Sequence, residues 1–191
     1  MKKMSRAGRV ILIIGIILGM GCVLLVKLAR DAAIERARRV GCANNLRQLG
    51  LSLHQYAGDN REAFPKSLQE IEFYAARQTQ LLVCDSSDPR LISAAADFSR
   101  IGPTNVSYYY VAGGSLGSRL PNQAQMFCLP GTHQGEGGRI LFTGGHVKWL
   151  SVESSEDETF WDVLRRSGIT PEMVAAATNK VIYLDDEEVD L

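Results

Sequence analysis

Apolar residues dominate one segment near the start of the chain. Residues 10 to 26 (VILIIGIILGMGCVLLV) contain no charged side chain. As a helix this segment rises about 25 Å, against roughly 30 Å of bilayer hydrocarbon, and Leu28 and Ala29 lengthen it. Lys27 can extend its ammonium group to the lipid headgroups. The pattern predicts a retained membrane-spanning helix rather than a signal peptide, because Lys27 and Arg30 occupy the place of a cleavage site.

The residues that follow have a helical spacing. No proline occurs between residues 27 and 58. Apolar side chains recur there every three or four positions, which places them along one face of a helix. They are Cys42, Leu46, Leu49, Leu53 and Tyr56. The sequence therefore predicts one long helix that leaves the membrane and ends near Gly58, and Phe64-Pro65 prevents its continuation.

Shorter elements are predicted in the rest of the chain. Helices are expected over residues 67–78 and 156–166, and a third is expected to begin at Thr170. Runs of β-branched and aromatic residues predict short strands. These runs are LLVC at 81–84, NVSYYYV at 105–111 and VIYL at 181–184. The acidic residues after the last of these strands predict a solvated tail.

The segment RILFTGGHVKWL, residues 139–150, has the pattern of a β-hairpin. Gly144 and Gly145 suit a two-residue type I′ turn, which needs positive φ at both positions. That turn pairs Thr143 with His146, Phe142 with Val147, and Ile140 with Trp149. The resulting core face consists of Ile140, Phe142, Val147 and Trp149. The opposite, polar face consists of Arg139, Thr143, His146 and Lys148.

Together these elements predict an α+β fold. A long N-terminal helix, half in the membrane and half packed, is expected to lie against a small antiparallel β-sheet, with short helices at the C-terminus. The predicted organisation is a cytoplasmic stub and membrane helix over residues 1–29, an extracytoplasmic domain over 30–152, and a helical extension with an acidic tail over 153–191.

Charge and location change this picture only slightly. The chain has 21 basic and 21 acidic residues, so no overall field attracts nucleic acid. Basic residues flank the apolar segment on both sides, and the positive-inside rule therefore does not decide the orientation. A short N-terminal flank before a long domain favours a cytoplasmic N-terminus and a domain in the periplasm of a bacterial inner membrane. No small-molecule substrate is evident from the sequence.

The cysteines are the first candidate site. In an oxidising compartment Cys42, Cys84 and Cys128 are candidates for a disulfide, with 84–128 and 42–84 as alternative pairings. The competing interpretation is that all three are small buried apolar groups. Cys22, inside the predicted membrane helix, is expected to stay unpaired.

The other chemical candidates are weaker. His54, His133 and His146 show no ligand-like spacing to one another or to a cysteine, so neither a metal site nor a catalytic residue is expected. No cofactor is expected either, although acidic residues 156–158 and 185–188 are calcium candidates that lack an alternating ligand pattern. In the membrane helix, Gly15 and Gly19 form a small-xxx-small pair that lets helices pack closely, although glycine is common in membrane helices.

Several motifs resemble those of type IV pilins and type II secretion pseudopilins. The segment ARRVGCANNLRQLGLSLHQYAGDNREAFP is similar to the helix that follows the membrane in pseudopilin-like proteins. LLVCDSSDP is similar to their Cys before an Asp-Pro turn, and SYYY at 107–110 to their Ser-Tyr-x-Tyr strand. HQGEGGRILFTGGHV is similar to a C-terminal His-x9-Asp-Gly motif, with His133, Gly144, Gly145 and His146 in matching places. The resemblance covers about residues 5–150.

Two departures from this pattern affect what the resemblance implies. Prepilins are cut after a Gly that precedes an apolar start containing a Glu, whereas Gly8 is followed by Arg9 and residues 10 to 26 contain no Glu. Gly144 replaces the Asp of the Asp-Gly motif, which preserves a turn but removes its carboxylate. Processing and ordinary filament assembly are therefore both in question.

The resemblance implies a non-enzymatic, membrane-anchored subunit of a type II secretion or type IV pilus-like assembly. Its partners would be membrane lipid and other pseudopilin-like or secretion subunits, which it contacts through the N-terminal helix. The alternative is a permanently anchored envelope binding module with a pilin-like fold, which stays outside any filament.

Overall fold

A computed structural model describes residues 6–153, 158–177 and 179–184, with side chains described from residue 14 onward. The chain divides into two compact units, one up to Ala37 and one from Arg38. The fold is α+β, with a long N-terminal helix, a small mixed sheet and short C-terminal helices. The N-terminal stub and the acidic tail of residues 185–191 lie outside the described residues.

The first element, α1, is one continuous helix over Arg6–Asp59. Its end confirms the predicted stop near Gly58. In the first unit, its described large apolar side chains are exposed, and they are Ile14, Ile16, Ile17, Leu18, Met20, Val23, Leu24, Leu25, Val26, Leu28 and Ile34. Among the residues whose side chains are described, no helix is both long and apolar enough to cross a membrane. Residues 10–13 of the predicted span lie outside that set.

The second unit is built on a five-stranded sheet. Its strands are β1 (Tyr109–Ala112), β2 (Ala124–Phe127), β3 (Gly137–Phe142), β4 (Val147–Ser151) and β5 (Val181–Tyr183). They lie in the order β4-β3-β2-β1-β5. All neighbours are antiparallel except β1 and β5, which run parallel. The sheet is therefore mixed, which corrects the expectation of a purely antiparallel one.

Both faces of this sheet are buried, and successive residues alternate between them. In β2 and just after it, Met126 and Cys128 face α1, whereas Phe127 faces the opposite way. The face toward α1 receives the predicted helical stripe, since Cys42, Leu46, Leu49 and Leu53 have no exposed surface. That stripe is confirmed, and Tyr56 packs at its edge.

The opposite face is covered by the C-terminal helices α2 (Phe160–Arg166) and α3 (Pro171–Ala176). Phe160, Val163 and Leu164 of α2 are buried against it. Thr159 and Thr170 cap the two helices by accepting backbone N–H bonds. The start at Thr170 is confirmed, whereas α2 begins four residues later than the predicted residue 156. The segment after residue 153 thus supplies one strand and one covering layer of the same sheet.

The predicted hairpin forms, but its register is shifted by one residue. Leu141 pairs with Val147, Ile140 with Lys148, and Arg139 with Trp149. A one-residue shift sends side chains to the other face. Ile140 and Phe142 therefore face α2, while Val147 packs on the α1 side and Trp149 contacts Arg39 of α1. The predicted single core face of these four residues is wrong.

The cause of the shift is the turn. Gly145 N–H donates to the Phe142 carbonyl at 2.8 Å, and Phe142 N–H donates to the His146 carbonyl at 2.9 Å. Of the two glycines in this turn, only Gly145 has a positive φ, at 84°. The loop is therefore a three-residue connection that ends in a left-handed glycine, not the two-residue type I′ turn.

Two further local predictions need correction. Residues 81–84 do not form a strand, because Thr79–Leu82 is a 3-10 helix and the Cys84 N–H is taken by the Ser107 hydroxyl at 2.9 Å. The helix predicted over 67–78 shortens to a 3-10 turn, Leu68–Ile71. The strand predicted at 181–184 is confirmed as β5. The strand predicted at 105–111 is confirmed only from Tyr109, where β1 begins, because Pro103–Asn105 is a 3-10 helix.

Candidate functional site

Three cysteines and one histidine meet between α1 and the sheet, and we call them the Cys/His cluster: Cys42, Cys84, Cys128 and His133. Each comes from a different local structure. Cys42 lies on the buried stripe of α1, Cys84 follows a 3-10 helix, and Cys128 directly follows β2. His133 ends the 3-10 helix Pro130–His133, which turns the chain back toward Cys128.

The ligand-type atoms of the cluster lie close together. The Sγ atoms of Cys42 and Cys128 are 3.6 Å apart. His133 Nε2 lies 3.4 Å from Cys128 Sγ and 3.6 Å from Cys84 Sγ. One ligand atom from each of Cys42, Cys84 and His133 falls within 4.8 Å of the others. Four side chains from distant parts of the chain thus converge on one point.

The cluster is inaccessible to solvent. Cys42, Cys128 and His133 have no exposed surface, and Cys84 has 1%. A substrate cannot reach these atoms without an opening of the core. The burial therefore favours a structural role for the cluster over a catalytic one.

Hydrogen-bond donors point at the sulfur atoms. The Arg139 backbone N–H donates to Cys128 Sγ at 3.3 Å. The Tyr108 hydroxyl donates to Cys42 Sγ at 3.6 Å. Cys84 Sγ accepts a backbone hydrogen bond from Ser86. Each of the three sulfurs thus accepts a hydrogen bond from a nearby donor.

The pKa shifts follow from these contacts. Hydrogen bonds with Cys128 and Cys42 lower the pKa of Cys84, against the opposing effect of burial. Burial lowers the pKa of His133, but hydrogen bonds with Cys128 and Cys84 outweigh it and raise that pKa to about 10. Burial, reinforced by the nearby cysteines, raises the pKa of Tyr108. Hydrogen bonds with Cys128 and Cys84, followed by burial, raise the pKa of Cys42. The cluster therefore favours a thiolate at Cys84 next to a protonated Cys42, with His133 as the partner of the thiolate.

An aromatic and cationic layer covers the cluster. The Trp149 ring meets the edge of His133 with ring centroids 5.3 Å apart. The guanidinium groups of Arg39 and Arg139 lie over that indole, at 4.5 Å and 5.4 Å from its centroid. Arg39 also forms an ion pair with Glu136 at 2.5 Å. Positive charge is thus concentrated on the outer side of the cluster.

The sequence spacing gave little sign of this arrangement. All four cysteines are free in the structure, including exposed Cys22, so a disulfide among Cys42, Cys84 and Cys128 stays a prediction. Five positions separate Cys128 from His133, with a proline between them that favours a tight turn. That local spacing was the one available signal, since Cys42 and Cys84 join the cluster only through tertiary packing.

The remaining candidate residues lie elsewhere. His146 is exposed in the β3–β4 turn and stacks on Phe142, with ring centroids 4.4 Å apart. His54 contacts the edge of Phe64. An added Cβ at Gly15 or Gly19 would meet nothing within 4 Å.

The calcium candidates are described only in part. Residues 156, 157 and 185–188 lie outside the described residues. Glu158 forms an ion pair with Arg166 at 2.5 Å.

A surface cavity is the second candidate site. It has a volume of about 310 Å³ and lies between the C-terminal segment and the loops near residues 67 and 102. Its lining includes Ser67, Gln69, Asn179 and Tyr183. The polar groups give it the character of a small binding cleft without a catalytic pair.

One protein family matches part of the chain. A family described as a protein of unknown function (DUF1559) matches residues 31–109. That segment begins in α1 and ends at the first residue of β1. No curated protein matches the chain, and no solved structure matches it. The matched segment contains Cys42 and Cys84 of the cluster and ends before Cys128 and His133.

Proposed function

We propose that the protein is a non-enzymatic, membrane-anchored, pseudopilin-like subunit of a type II secretion or type IV pilus-like assembly. The observation that carries the proposal is the two-part character of α1. In its first half the described apolar side chains are exposed, with Ile17, Leu18 and Leu25 between 62% and 68% accessible. A helix that is apolar on every side needs lipid or other helices around it.

The second half of α1 supports the same proposal. Its buried stripe packs on the sheet of the second unit, and the helix is one element over Arg6–Asp59. The apolar run of residues 10–26 and the pseudopilin-like motifs add sequence support. The domain would lie in the periplasm of a bacterial inner membrane, with the N-terminus in the cytoplasm.

Helix packing in the membrane gives the direct test. Gly15 and Gly19 leave open space on one stripe of the helix, as close helix contacts require. Replacing both with isoleucine (G15I and G19I) should reduce cross-linking to partner subunits in native membranes by about tenfold, since about 1.4 kcal/mol corresponds to that factor. Gly21→Ile is the matched control, because Gly21 lies off that stripe. An unchanged cross-linking yield, or a chain recovered without membranes, would contradict the proposal.

Processing is tested by the intact mass of the chain extracted from native membranes. Because Arg9 follows Gly8, we expect the full-length mass and a permanent anchor. A mass lacking residues 1–8, with or without N-methylation, would instead assign the chain to processed filament subunits.

The cavity near Tyr183 favours a second candidate function, an anchored binding module outside any filament. Five of its lining residues come from the C-terminal segment, namely Ala176, Ala177, Asn179, Val181 and Tyr183. Such a module would tolerate G15I and G19I but lose its ligand when Ala176→Phe fills the cleft. The two substitution sets therefore separate the two functions.

A further inference from the structure

We propose that Cys42, Cys84, Cys128 and His133 bind one zinc ion in a closed tetrahedral site of three thiolates and one imidazole. The site is independent of the proposed assembly function and has a structural role. It would fasten α1 to the sheet and to the two loops that carry Cys84 and His133.

The spacing of the ligand atoms fits such a site. Zinc binds thiolate sulfur at about 2.3 Å and imidazole nitrogen at about 2.0–2.1 Å. A tetrahedron with those bonds separates two sulfurs by about 3.8 Å and a sulfur from a nitrogen by about 3.5 Å. The observed separations are 3.6 Å between Cys42 and Cys128, and 3.4 Å and 3.6 Å from His133 to Cys128 and Cys84.

A disulfide accounts for less of this geometry. Disulfide sulfurs lie about 2.05 Å apart, and one bond uses only two of the three thiols. A disulfide would leave the third thiol and the His133 nitrogen buried next to the bonded pair of sulfurs. A metal uses all four ligand atoms, and three thiols with one imidazole are a donor set of structural zinc sites.

The donors around the sulfurs form the outer layer that metal thiolates require. The Arg139 N–H and the Tyr108 hydroxyl donate to Cys128 and Cys42, and these are contacts that a neutral thiol has little need for. The Arg139 side chain is half-buried in the same region. Its Nε is a buried donor that has no hydrogen-bond partner among the described residues.

Charge balance explains the position of that arginine. Zinc bound by three thiolates and a neutral imidazole has a net charge of about −1. Burial of such a centre is unfavourable unless a positive group lies nearby. The Arg139 guanidinium lies over the Trp149 ring that packs on His133, and the Arg139 backbone N–H contacts Cys128. The guanidinium thus balances the charge of the metal centre without acting as a ligand.

The site has no open position. Three sulfurs and one nitrogen complete a tetrahedron, and all four side chains have 1% exposed surface or less. Catalytic zinc keeps a place for water or substrate, whereas structural zinc does not. The cluster therefore belongs to the structural class.

The test uses the full-length chain purified in detergent without a histidine tag. Elemental analysis should find about one zinc per chain, and cobalt(II) substitution should give thiolate charge-transfer and tetrahedral d–d absorption. Cys84→Ser should reduce bound zinc by more than about tenfold. Cys22→Ser is the matched control and should leave the zinc content unchanged, since Cys22 is exposed and outside the cluster.

A ligand exchange keeps the test decisive if Cys84→Ser fails to fold. His133→Cys should retain the metal in a site made only of thiolates and intensify the cobalt charge-transfer band, which no packing effect produces. Thiol labelling of the denatured wild-type chain without reductant should then modify all four cysteines. A chain that stays free of metal after incubation with zinc or cobalt, or one that labels at only two cysteines because a disulfide has formed, would overturn the proposal.

Discussion

The two faces of the sheet are stabilised by different means. The face toward α2 is an apolar contact, with Phe160 against Phe127 and no metal-ligating group in its cluster of buried residues. The face toward α1 contains a comparable apolar stripe but also the Cys/His cluster at its centre. Apolar burial is the main contribution to the first face, to which buried Ser167 adds a hydrogen bond from the Ala124 N–H. The second also contains thiols and an imidazole that are stable there only with a suitable partner.

Metal removal should affect the second face most. Chelation of the purified full-length chain is expected to lower its free energy of unfolding by more than about 4 kcal/mol, because structural metal binding is coupled to folding. Urea unfolding with and without chelator measures the change. Hydrogen exchange should show lost protection around Leu46 and Leu49, with α2 less affected. An unchanged unfolding midpoint would mean that the cluster is stable without metal.

Acid should act in the same direction as the chelator. Thiolate ligands must remain deprotonated, so protons compete with the metal for the three sulfurs. The stability that bound metal contributes is therefore present at neutral pH and is lost as the pH falls.

The apolar face should respond to truncation instead. Phe160 has no exposed surface and meets Phe127 edge-on with centroids 6.0 Å apart. Phe160→Ala is expected to destabilise the fold by about 3–5 kcal/mol through the lost burial and the cavity it leaves. Phe73→Ala is the control, because Phe73 is 83% exposed and should change stability little. Thermal unfolding measures both, and loss of bound metal in Phe160→Ala would contradict the independence of the two faces.

The contrast between the faces also separates what sequence predicts from what it does not. The stripe of α1 follows from local spacing, because a helix places residues three and four apart on one side, and the start of α3 follows from Thr170 before Pro171. The register of the β3–β4 hairpin was missed because two glycines in sequence do not reveal that only Gly145 adopts positive φ. The conformation of Gly145 shifts the register by one residue. Val147 and Trp149 therefore lie on the opposite face from Ile140 and Phe142.

The candidate site depends on tertiary structure even more strongly. Cys128 and His133 are only five positions apart, but this spacing matches no metal-ligand motif and does not predict a site. Cys42 and Cys84 reach them only after α1 packs on the sheet, a contact between residues 86 positions apart in the case of Cys42 and Cys128. No periodic pattern in the sequence predicts that these four side chains lie together. The parallel pairing of β5 with β1 has the same origin, since it joins Tyr110 to Val181.

Substitution of Gly138 in β3 is a smaller test that affects both faces of the sheet. An added Cβ at Gly138 would collide with the Cys128 carbonyl oxygen and the Phe160 ring. Gly138→Ala should therefore destabilise the protein by about 1–3 kcal/mol and weaken metal binding, because both neighbours must shift. Gly131→Ala is the control, since an added Cβ there meets nothing within 4 Å. Wild-type stability in Gly138→Ala would show that the sheet absorbs the methyl group without moving Cys128.

The smallest expected effect concerns how α2 begins. The Thr159 hydroxyl accepts the Asp162 N–H at 3.3 Å, and the Thr159 N–H donates to the Asp162 carboxylate at 3.2 Å. The Thr159 hydroxyl also donates to the Asp162 carboxylate at 2.6 Å. Thr159→Ala removes both bonds of the hydroxyl and should cost about 1 kcal/mol, whereas Thr159→Ser should retain them. Urea unfolding followed by tryptophan fluorescence at Trp161 measures the difference.

The pH dependence of stability shows whether Thr159→Ala acts through its hydrogen bonds with Asp162. Hydrogen bonds with Thr159 lower the pKa of Asp162, so its contribution is present above the unfolded pKa and lost as the pH falls through the lowered value. Thr159→Ala should weaken this acid sensitivity while leaving bound metal unchanged, because the cap supports only the apolar face. If the variant loses metal together with its cap, the two faces fold as one unit and α2 must form before the Cys/His cluster can close.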